Sequence, residues 1–185
     1  MIDLELEDLA VDGCITKALG SGENADRSPV DRGKQGLKRS TVSDGPGIPL
    51  PIVSTGANRN DGPLLAPTLA GLAALGPLPE RIAVHLDRGG DSALTRALLD
   101  GLALTGVIAG KGVPAPLQVG KRWVIERTHA WMKRFGKLRR CTERNGRVVD
   151  LHLFLASAFV ITRRLMQRAR TRCRWDHQPT TRRLK

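Results

Sequence analysis

The chain has 185 residues, 41% of them hydrophobic, so it is long and apolar enough for one domain with its own core. Aromatic residues make up 3% and Tyr is absent, so the core must be aliphatic. The formal net charge of +12 is uneven: residues 1–120 carry 11 Lys and Arg against 14 Asp and Glu, and residues 121–185 carry 19 against 4. A basic half beside a mildly acidic half favours a polyanion ligand, with nucleic acid preferred to an anionic membrane.

Cysteine spacing and the N-terminal sequence indicate the cellular compartment in which the protein is expected. Cys14, Cys141 and Cys173 form no CxxC pair, which argues for a reducing environment and against a disulfide scaffold. Cys173 with His177 could be half of a metal site, but no second pair has zinc-ligand spacing. The acidic N-terminus shows no secretory signal, and the longest apolar run, 153–161, is too short to span a bilayer. We therefore expect a cytoplasmic protein with no membrane partner.

The first third of the chain is typical of strands. Alternating apolar residues over 1–11 predict a strand that ends at Asp12, followed by an exposed loop over 19–36. Two short strands, 37–43 and 48–55, flank a Gly- and Pro-rich turn and predict a hairpin. Prolines at the start of the second of these strands place it at a sheet edge.

Helices and strands alternate in the middle of the chain. The pattern predicts a helix, a strand, a helix and a short strand, over 64–75, 82–86, 93–104 and 106–110 respectively. The strand over 82–86 runs directly into Asp87. Ser92 is positioned to cap the next helix, with Leu94 and Leu98 expected to face inward.

The C-terminal part is predicted to be helical and basic. After a loop over 111–120, a helix is expected over about 121–137 and a second over about 148–170, whose end is strongly basic. Strands first and alternating units later predict an α/β fold with a mixed sheet flanked by helices. We divide the chain into a catalytic domain over 1–140 and a basic C-terminal helix and tail over 141–185.

The helix predicted over 121–137 carries its ionisable residues on one side. At 100° per residue, Arg122, Glu126, His129 and Lys133 share a stripe, opposite Trp131 and other apolar residues. The plainest interpretation is a solvated face of ion pairs. However, a carboxylate at a strand end, such as Asp87, can meet a carboxylate on a later helix over a sheet edge. Two-metal phosphoryl-transfer sites are commonly built in this way.

Two segments of the chain carry recognisable motifs. Residues 86–92 read LDRGGDS, and Arg122, Glu126 and Lys133 have the spacing R-x3-E-x6-K. Apart from their Tyr positions, these motifs resemble the DRGYDS segment and the Y-x2-R-x3-E-x6-K signature of bacterial insertion-sequence transposases. Residues 28–34 and 56–61 are also similar to segments between the family's first two acids. The likeness covers nearly the whole chain and identifies it as resembling the DDE transposases of the IS-four/IS-five group.

The resemblance implies a ribonuclease-H-like catalytic domain whose acidic triad is Asp12, Asp87 and Glu126. These three residues are expected to hold two Mg²⁺ or Mn²⁺ ions for DNA cleavage and strand transfer, since hard cations prefer carboxylate oxygens. Asp3, Asp8 and Asp31 are less suitable as the first acid, because they lie early in the strand or in the following loop.

Double-stranded DNA, both transposon ends and target, is the partner that the resemblance implies, with a dimer when the protein is full length and association with the nucleoid. Arg122 and Lys133 would neutralise phosphate charge near Glu126. The basic surface around them would contact the backbone with little sequence information. The predicted DNA-binding residues are Arg122, Arg127, Lys133, Arg134, Arg139 and Arg140.

Three departures from the family pattern leave alternatives open. Val119 stands at the signature Tyr, Gly90 stands at the Tyr of the DRGYDS segment, and the chain begins almost at the first acid, as a truncated copy would. We therefore expect at best weak metal-dependent nicking without transposition. One alternative is a catalytically inactive DNA-binding remnant that inhibits a full-length transposase. Another is an unrelated ribonuclease-H-like nuclease.

Overall fold

The structure is a computed structural model that describes residues 4–108 and 122–172. In these ranges the strands are β1 (Asp8–Ala18), β2 (Asp26–Arg27), β3 (Gln35–Ser43), β4 (Pro49–Gly56), β5 (Ala83–Leu86), β6 (Thr105–Ile108) and β7 (Arg140–Cys141). The helices are α1 (Gly62–Ala70), α2 (Ala93–Gly101), α3 (Arg122–Met132), α4 (Gly136–Arg139) and α5 (Gly146–Arg172), and short 3₁₀ turns cover Gly71–Leu75 and Arg88–Gly90.

These strands form one mixed sheet with β1 at its centre. β1 pairs antiparallel with β3 and parallel with β5, and β5 pairs parallel with β6. The order is β2-β3-β1-β5-β6, with β4 added to β3 and the two-residue β7 added to β1. Helices cover both faces of the sheet, so the predicted α/β class is confirmed.

Strand alternation divides the apolar residues between two cores. The first core lies beneath α1 and α2 and receives Leu9 and Val11 from β1 and Val42 from β3. The second lies beneath α3, α4 and α5 and receives Ala18 and Leu37 from the same two strands. Full burial of each large aliphatic side chain contributes roughly 1.5–3 kcal/mol. Because α5 contributes residues to the second core, it packs on the sheet. The domain boundary between 1–140 and 141–185 stays a prediction.

The predicted hairpin is confirmed, but the first strand lies later in the chain than predicted, at Asp8–Ala18 instead of 1–11. β3 and β4 pair antiparallel around the turn, and within the described ranges β4 pairs with β3 alone, as an edge strand does. β1 does not end at Asp12; it continues to Ala18 because β3 provides an antiparallel partner along its whole second half, from Asp12 opposite Thr41 to Lys17 opposite Gly36. Asp12 is thus a mid-strand residue.

The helix over residues 93–101 also differs in which leucines it buries. Ser92 caps α2 as predicted, with the Thr95 backbone N–H donating to its Oγ at 3.1 Å. Leu94 was expected to face inward but is 85% exposed, whereas Leu99 is only 1% exposed. The cap places Leu94 in the first turn of α2, on its exposed side. Leu98 packs partly against the core, as predicted.

The C-terminal helices follow the prediction with one interruption. The helix expected over 121–137 is two helices, because Phe135 has an extended backbone between α3 and α4. α5 contains the predicted 148–170 helix. Val119, Cys173 and His177 lie outside the described residues. No helix in residues 4–108 or 122–172 is both long and apolar enough to cross a membrane.

Candidate active site

Asp12 lies on β1, and Asp87 is the first residue after β5, the parallel neighbour of β1. Ala10 of β1 is in register with His85 of β5, and each aspartate follows two residues later. Adjacent strands are about 4.8 Å apart, so these positions on β1 and at the end of β5 are neighbours. Both aspartates are half-buried and line one small cavity of about 40 Å³. Two of the three predicted acids therefore share one site.

Backbone N–H groups hold each of these carboxylates in place. The Gly13 N–H donates to Asp12 Oδ1 at 2.8 Å. The Gly90 N–H donates to Asp87 Oδ1 at 3.0 Å, so that Asp87 caps the 3₁₀ turn after β5. A Cβ added at Gly89 would lie 3.1 Å from Asp87 Oδ1, closer than most side chains allow. The Gly-rich segment after Asp87 thus keeps its carboxylate oriented.

The third predicted acid, Glu126, is exposed on α3, which packs across β1 and β3. Two hydrogen bonds anchor this helix to the turn before β4. The Thr128 hydroxyl donates to the Gly47 carbonyl at 2.7 Å, and Arg127 Nη2 donates to the Pro46 carbonyl at 2.7 Å. One turn after Glu126, the His129 ring faces the Asp12 backbone, which connects α3 to the first acid.

His129 is buried, so the predicted solvated stripe is wrong at this position. Burial, followed by the charges of Arg39 and Lys133, lowers the pKa of its imidazole from 6.5 to about 3, while the Asp12 backbone acts in the opposite direction. Within the described ranges neither ring nitrogen has a hydrogen-bond partner of normal geometry. His129 is therefore a neutral packing group at pH 7 and not a third cation.

Arg39 is a buried cation that the sequence did not indicate. It is fully buried on the same face as Asp12, donating to Thr16 Oγ1 at 3.0 Å and contacting Cys14 Sγ at 3.5 Å. Burial lowers the pKa of its guanidinium, although the nearby Cys14 acts in the opposite direction. Arg39 lies on β3 opposite Cys14, which is two residues along β1 from Asp12. Its positive charge acts on His129 of α3.

The donor set suits a hard divalent cation but does not form a closed cage. Asp12 and Asp87 offer the oxygen ligands that Mg²⁺ and Mn²⁺ prefer. In residues 4–108 and 122–172, however, no group of three or more His, Cys, Asp or Glu side chains is placed to hold a metal ion. Glu126 thus does not complete a three-ligand cluster with the two aspartates.

The predicted DNA-binding residues are divided among different surroundings. Lys133, Arg139 and Arg140 line a groove of about 750 Å³ together with Lys17 and Lys34, which the sequence did not single out. The residues lining this groove include no acid. They come from distant parts of the chain, so only the fold shows that they form one basic surface.

Arg127 and Arg134 lie elsewhere. The Arg127 guanidinium stacks over Trp123 at 4.4 Å and over Trp131 at 4.8 Å, in addition to its hydrogen bond to the turn before β4. Arg134 lines a separate cleft of about 340 Å³ between α3 and α5. The Arg122 side chain lies outside the described part of the structure.

The other carboxylates have distinct surroundings. Asp8 contacts the His85 ring at 2.9 Å, Asp31 belongs to a turn with Ser28, and Asp3 lies outside the described residues. Asp61 lines the cavity that contains Asp12 and Asp87. Sequence reasoning assigned Asp61 no role, although it ends the 56–61 segment that resembles the transposase family.

Solved structures with this fold define its class. The chain matches a simian T-cell lymphotropic virus intasome in complex with PP2A regulatory subunit B56 gamma, with a TM-score of 0.54 and 13% identity over 83% of this chain and 48% of that one. It also matches the Mos1 mariner paired end complex with Mn, with a TM-score of 0.53 and 13% identity over 87% of this chain and 52% of that one. The fold is therefore the ribonuclease-H-like fold of integrase and transposase catalytic cores.

Sequence comparison finds a similar transposase. No family model matches the chain. It is 37% identical over 131 residues to the "Putative transposase for insertion sequence element IS402" of Burkholderia cepacia. This match covers 68% of the chain and 61% of the relative, so the chain spans less than two thirds of that protein's length. The chain is thus similar to an insertion-sequence transposase over 68% of its own length.

Proposed function

We propose that this chain is the catalytic core of an insertion-sequence transposase, which cleaves and joins DNA phosphodiesters with the help of Mg²⁺ or Mn²⁺. The observation that carries the proposal is the placement of Asp12 on β1 and of Asp87 directly after the adjacent parallel strand β5, with both residues lining one cavity. Carboxylates at that position in a relative of insertion-sequence transposases support the metal-dependent chemistry of the family over an unrelated nuclease.

Each residue of the triad has a separate task in this proposal. Asp12 and Asp87 provide the carboxylate oxygens for two cations, and the Gly13 and Gly90 N–H groups orient them. Glu126 provides the third carboxylate from α3, whose position depends on its anchors to the turn before β4. When bound, two divalent ions activate the attacking oxygen and stabilise the leaving oxygen.

The basic groove supports duplex DNA, both transposon ends and target, as the substrate. Lys133, Arg139 and Arg140 would contact phosphates together with Lys17 and Lys34. Arg134 would contact phosphate from its separate cleft, and Arg122 keeps the phosphate-neutralising role that the sequence resemblance implies. We assign Arg127 to holding α3 in place, because its guanidinium is already engaged by two Trp rings and a carbonyl. Dimerisation of the full-length protein and association with the nucleoid follow from the same proposal.

Nicking of supercoiled plasmid in Mn²⁺ tests the proposal. Wild-type chain should nick weakly, and Glu126→Gln should abolish nicking while leaving DNA binding unchanged or slightly tighter, because it removes a negative charge near phosphate. Glu143→Gln is the matched control, since Glu143 pairs with Lys137 away from the cavity and its loss should not change nicking. Equal nicking by wild type and Glu126→Gln would indicate a contaminating nuclease.

A catalytically inactive DNA-binding remnant is the second candidate. The observation that favours it is the absence, in the described ranges, of a closed three-carboxylate cluster beside an intact basic groove. Such a protein would bind DNA, show no nicking in any divalent metal, and reduce transposition by a full-length relative when both are present. Mn²⁺-dependent nicking that Glu126→Gln removes would exclude this candidate.

A further inference from the structure

Asp61 uses its side chain in an unusual way for its position. It occupies the N-cap of α1, where an Asp carboxylate normally accepts a hydrogen bond from the helix, but it makes no such bond. Its Oδ2 instead accepts from Lys38 Nζ at 2.9 Å, and the same ammonium donates to the Arg59 carbonyl at 2.9 Å. The Lys38 side chain is 9% exposed and that of Asp61 is 65% exposed.

This ion pair is seated directly on the backbone of the residue after Asp12. A Cβ added at Gly13 would lie 1.9 Å from Asp61 Oδ1 and 3.1 Å from Lys38 Cε, so only Gly leaves room for the pair. The Gly13 N–H is also the donor that orients the Asp12 carboxylate. Lys38, Asp61, Gly13 and Asp12 therefore form one continuous series of contacts.

The charge of Lys38 also affects the electrostatic potential at the cavity. The nearly buried Lys38 ammonium lies 2.9 Å from Asp61, a carboxylate that lines the cavity of the proposed metal ligands, and a buried cation without a partner is costly and repels other cations. Asp61 balances that charge within hydrogen-bonding distance and itself lines the cavity. Without Asp61, the ammonium of Lys38 would raise the local potential where a divalent ion is expected to bind.

We propose that Lys38 and Asp61 are a positioning pair for the metal site. Asp61 neutralises Lys38 and keeps the pair against Gly13, which fixes the backbone that orients Asp12, and Asp61 does not itself bind the metal. The inference rests on the proposed metal-dependent function. Its central feature is that Asp61 acts by neutralising Lys38, and metal binding can test this without a measurement of catalysis.

Titration of Mn²⁺ into the full chain, with free Mn²⁺ followed by electron paramagnetic resonance, provides the test. Asp61→Asn should weaken Mn²⁺ binding by about tenfold or more, because it leaves Lys38 unpaired close to the site. The double variant K38M/D61N, in which both charges are absent, should return to within about threefold of wild type, since a balanced pair and no pair have similar net charge. Glu143→Gln, which removes an acid from an exposed ion pair, should bind as wild type does.

Two results would overturn the positioning pair. If K38M/D61N bound Mn²⁺ as weakly as Asp61→Asn, Asp61 would be a ligand and not a partner for Lys38. If Asp61→Asn bound as tightly as wild type, the pair would have no influence on the metal. Should Asp61→Asn fail to fold, the double variant alone decides, because a tenfold loss there also contradicts the proposal. Asp12→Asn tests the metal site separately, since unchanged binding by that variant would reject the proposed function itself.

Discussion

At the scale of single residues, His129 links the site to the stability of the fold. Its imidazole is buried and its pKa is lowered to about 3, mainly by loss of solvent and then by the charges of Arg39 and Lys133. Because the unfolded chain binds a proton at this residue below about pH 6.5 and the folded chain does not, the stability that depends on neutral His129 is complete above pH 6.5. It is lost as the pH falls towards 3.

We therefore expect the free energy of unfolding of the metal-free chain to fall between pH 7 and pH 5. Below pH 6.5 this one group contributes a slope of up to about 1.4 kcal/mol per pH unit. His129→Gln, which cannot take up a proton, should give a shallower dependence whatever its stability at pH 7. Urea unfolding at several pH values measures both slopes, and equal slopes would show that His129 titrates normally in the folded protein.

The residue scale also shows where sequence reasoning was limited. Asp87 and Glu126 were predicted as site residues because they lie in segments that resemble transposases, and Asp12 because an apolar strand precedes it. Arg39 and the Lys38–Asp61 pair were not, since their importance depends on burial and on contacts with residues distant in the chain. Periodicity shows which side of an element a residue occupies, but not how that side is covered.

At the scale of elements, the attachment of α3 to the turn before β4 determines where Glu126 lies. The buried Thr128 hydroxyl donates to the Gly47 carbonyl, and Gly47 has a positive φ of 90°, a conformation that favours glycine. A Cβ at Gly47 would also lie 3.0 Å from Thr128 Oγ1. The turn and the helix are therefore fitted to each other through this hydrogen bond.

Replacing Thr128 by Val should separate this hydrogen bond from the shape of the side chain. The Gly47 carbonyl would be left without its partner in a buried position, so we expect a loss of about 1–3 kcal/mol in the free energy of unfolding and weaker nicking. Thr162→Val on α5 is the control, because that side chain is exposed and its replacement should change stability by less than about 0.5 kcal/mol. Unchanged stability of Thr128→Val would mean that the hydrogen bond does not hold α3.

Most elements were predictable from sequence, whereas their limits and buried sides were less so. The hairpin, α1, α2, β5 and α5 follow from turn residues and apolar spacing, which are local properties. The extension of β1 past Asp12 depends on its long pairing with β3, and the burial of His129 depends on where α3 crosses the sheet. Both are tertiary effects, and no local pattern reports them.

At the scale of the whole molecule, the fold converts an uneven charge distribution into one groove. Lys17 and Lys34 come from the half of the chain that is acidic overall, yet they lie beside Lys133, Arg139 and Arg140. When DNA binds a groove lined by five cations and no acid, the counterions condensed on the DNA are released. Affinity for duplex DNA should therefore fall steeply with salt and depend little on sequence.

Neutralising part of the groove tests this surface. A triple variant with Gln at Lys17, Lys34 and Arg140 should bind duplex DNA more weakly, and the slope of log affinity against log salt should become shallower by about 0.9 for each phosphate that is no longer neutralised. Arg96→Gln is the control, since Arg96 lies on α2 in an ion pair with Asp91 and outside the groove. Equal slopes for wild type and the triple variant would place the DNA on another surface.

The central claim is that Asp12 and Asp87 hold a divalent metal between β1 and β5, and anomalous scattering from Mn²⁺ tests it most directly. Crystals of the chain grown in Mn²⁺ should give an anomalous difference peak within bonding distance of carboxylate oxygens from both aspartates. Crystals of Asp12→Asn should lack that peak. Manganese bound only at other residues, or no peak between the two strands at saturating Mn²⁺, would contradict the assignment of this cavity as the active site.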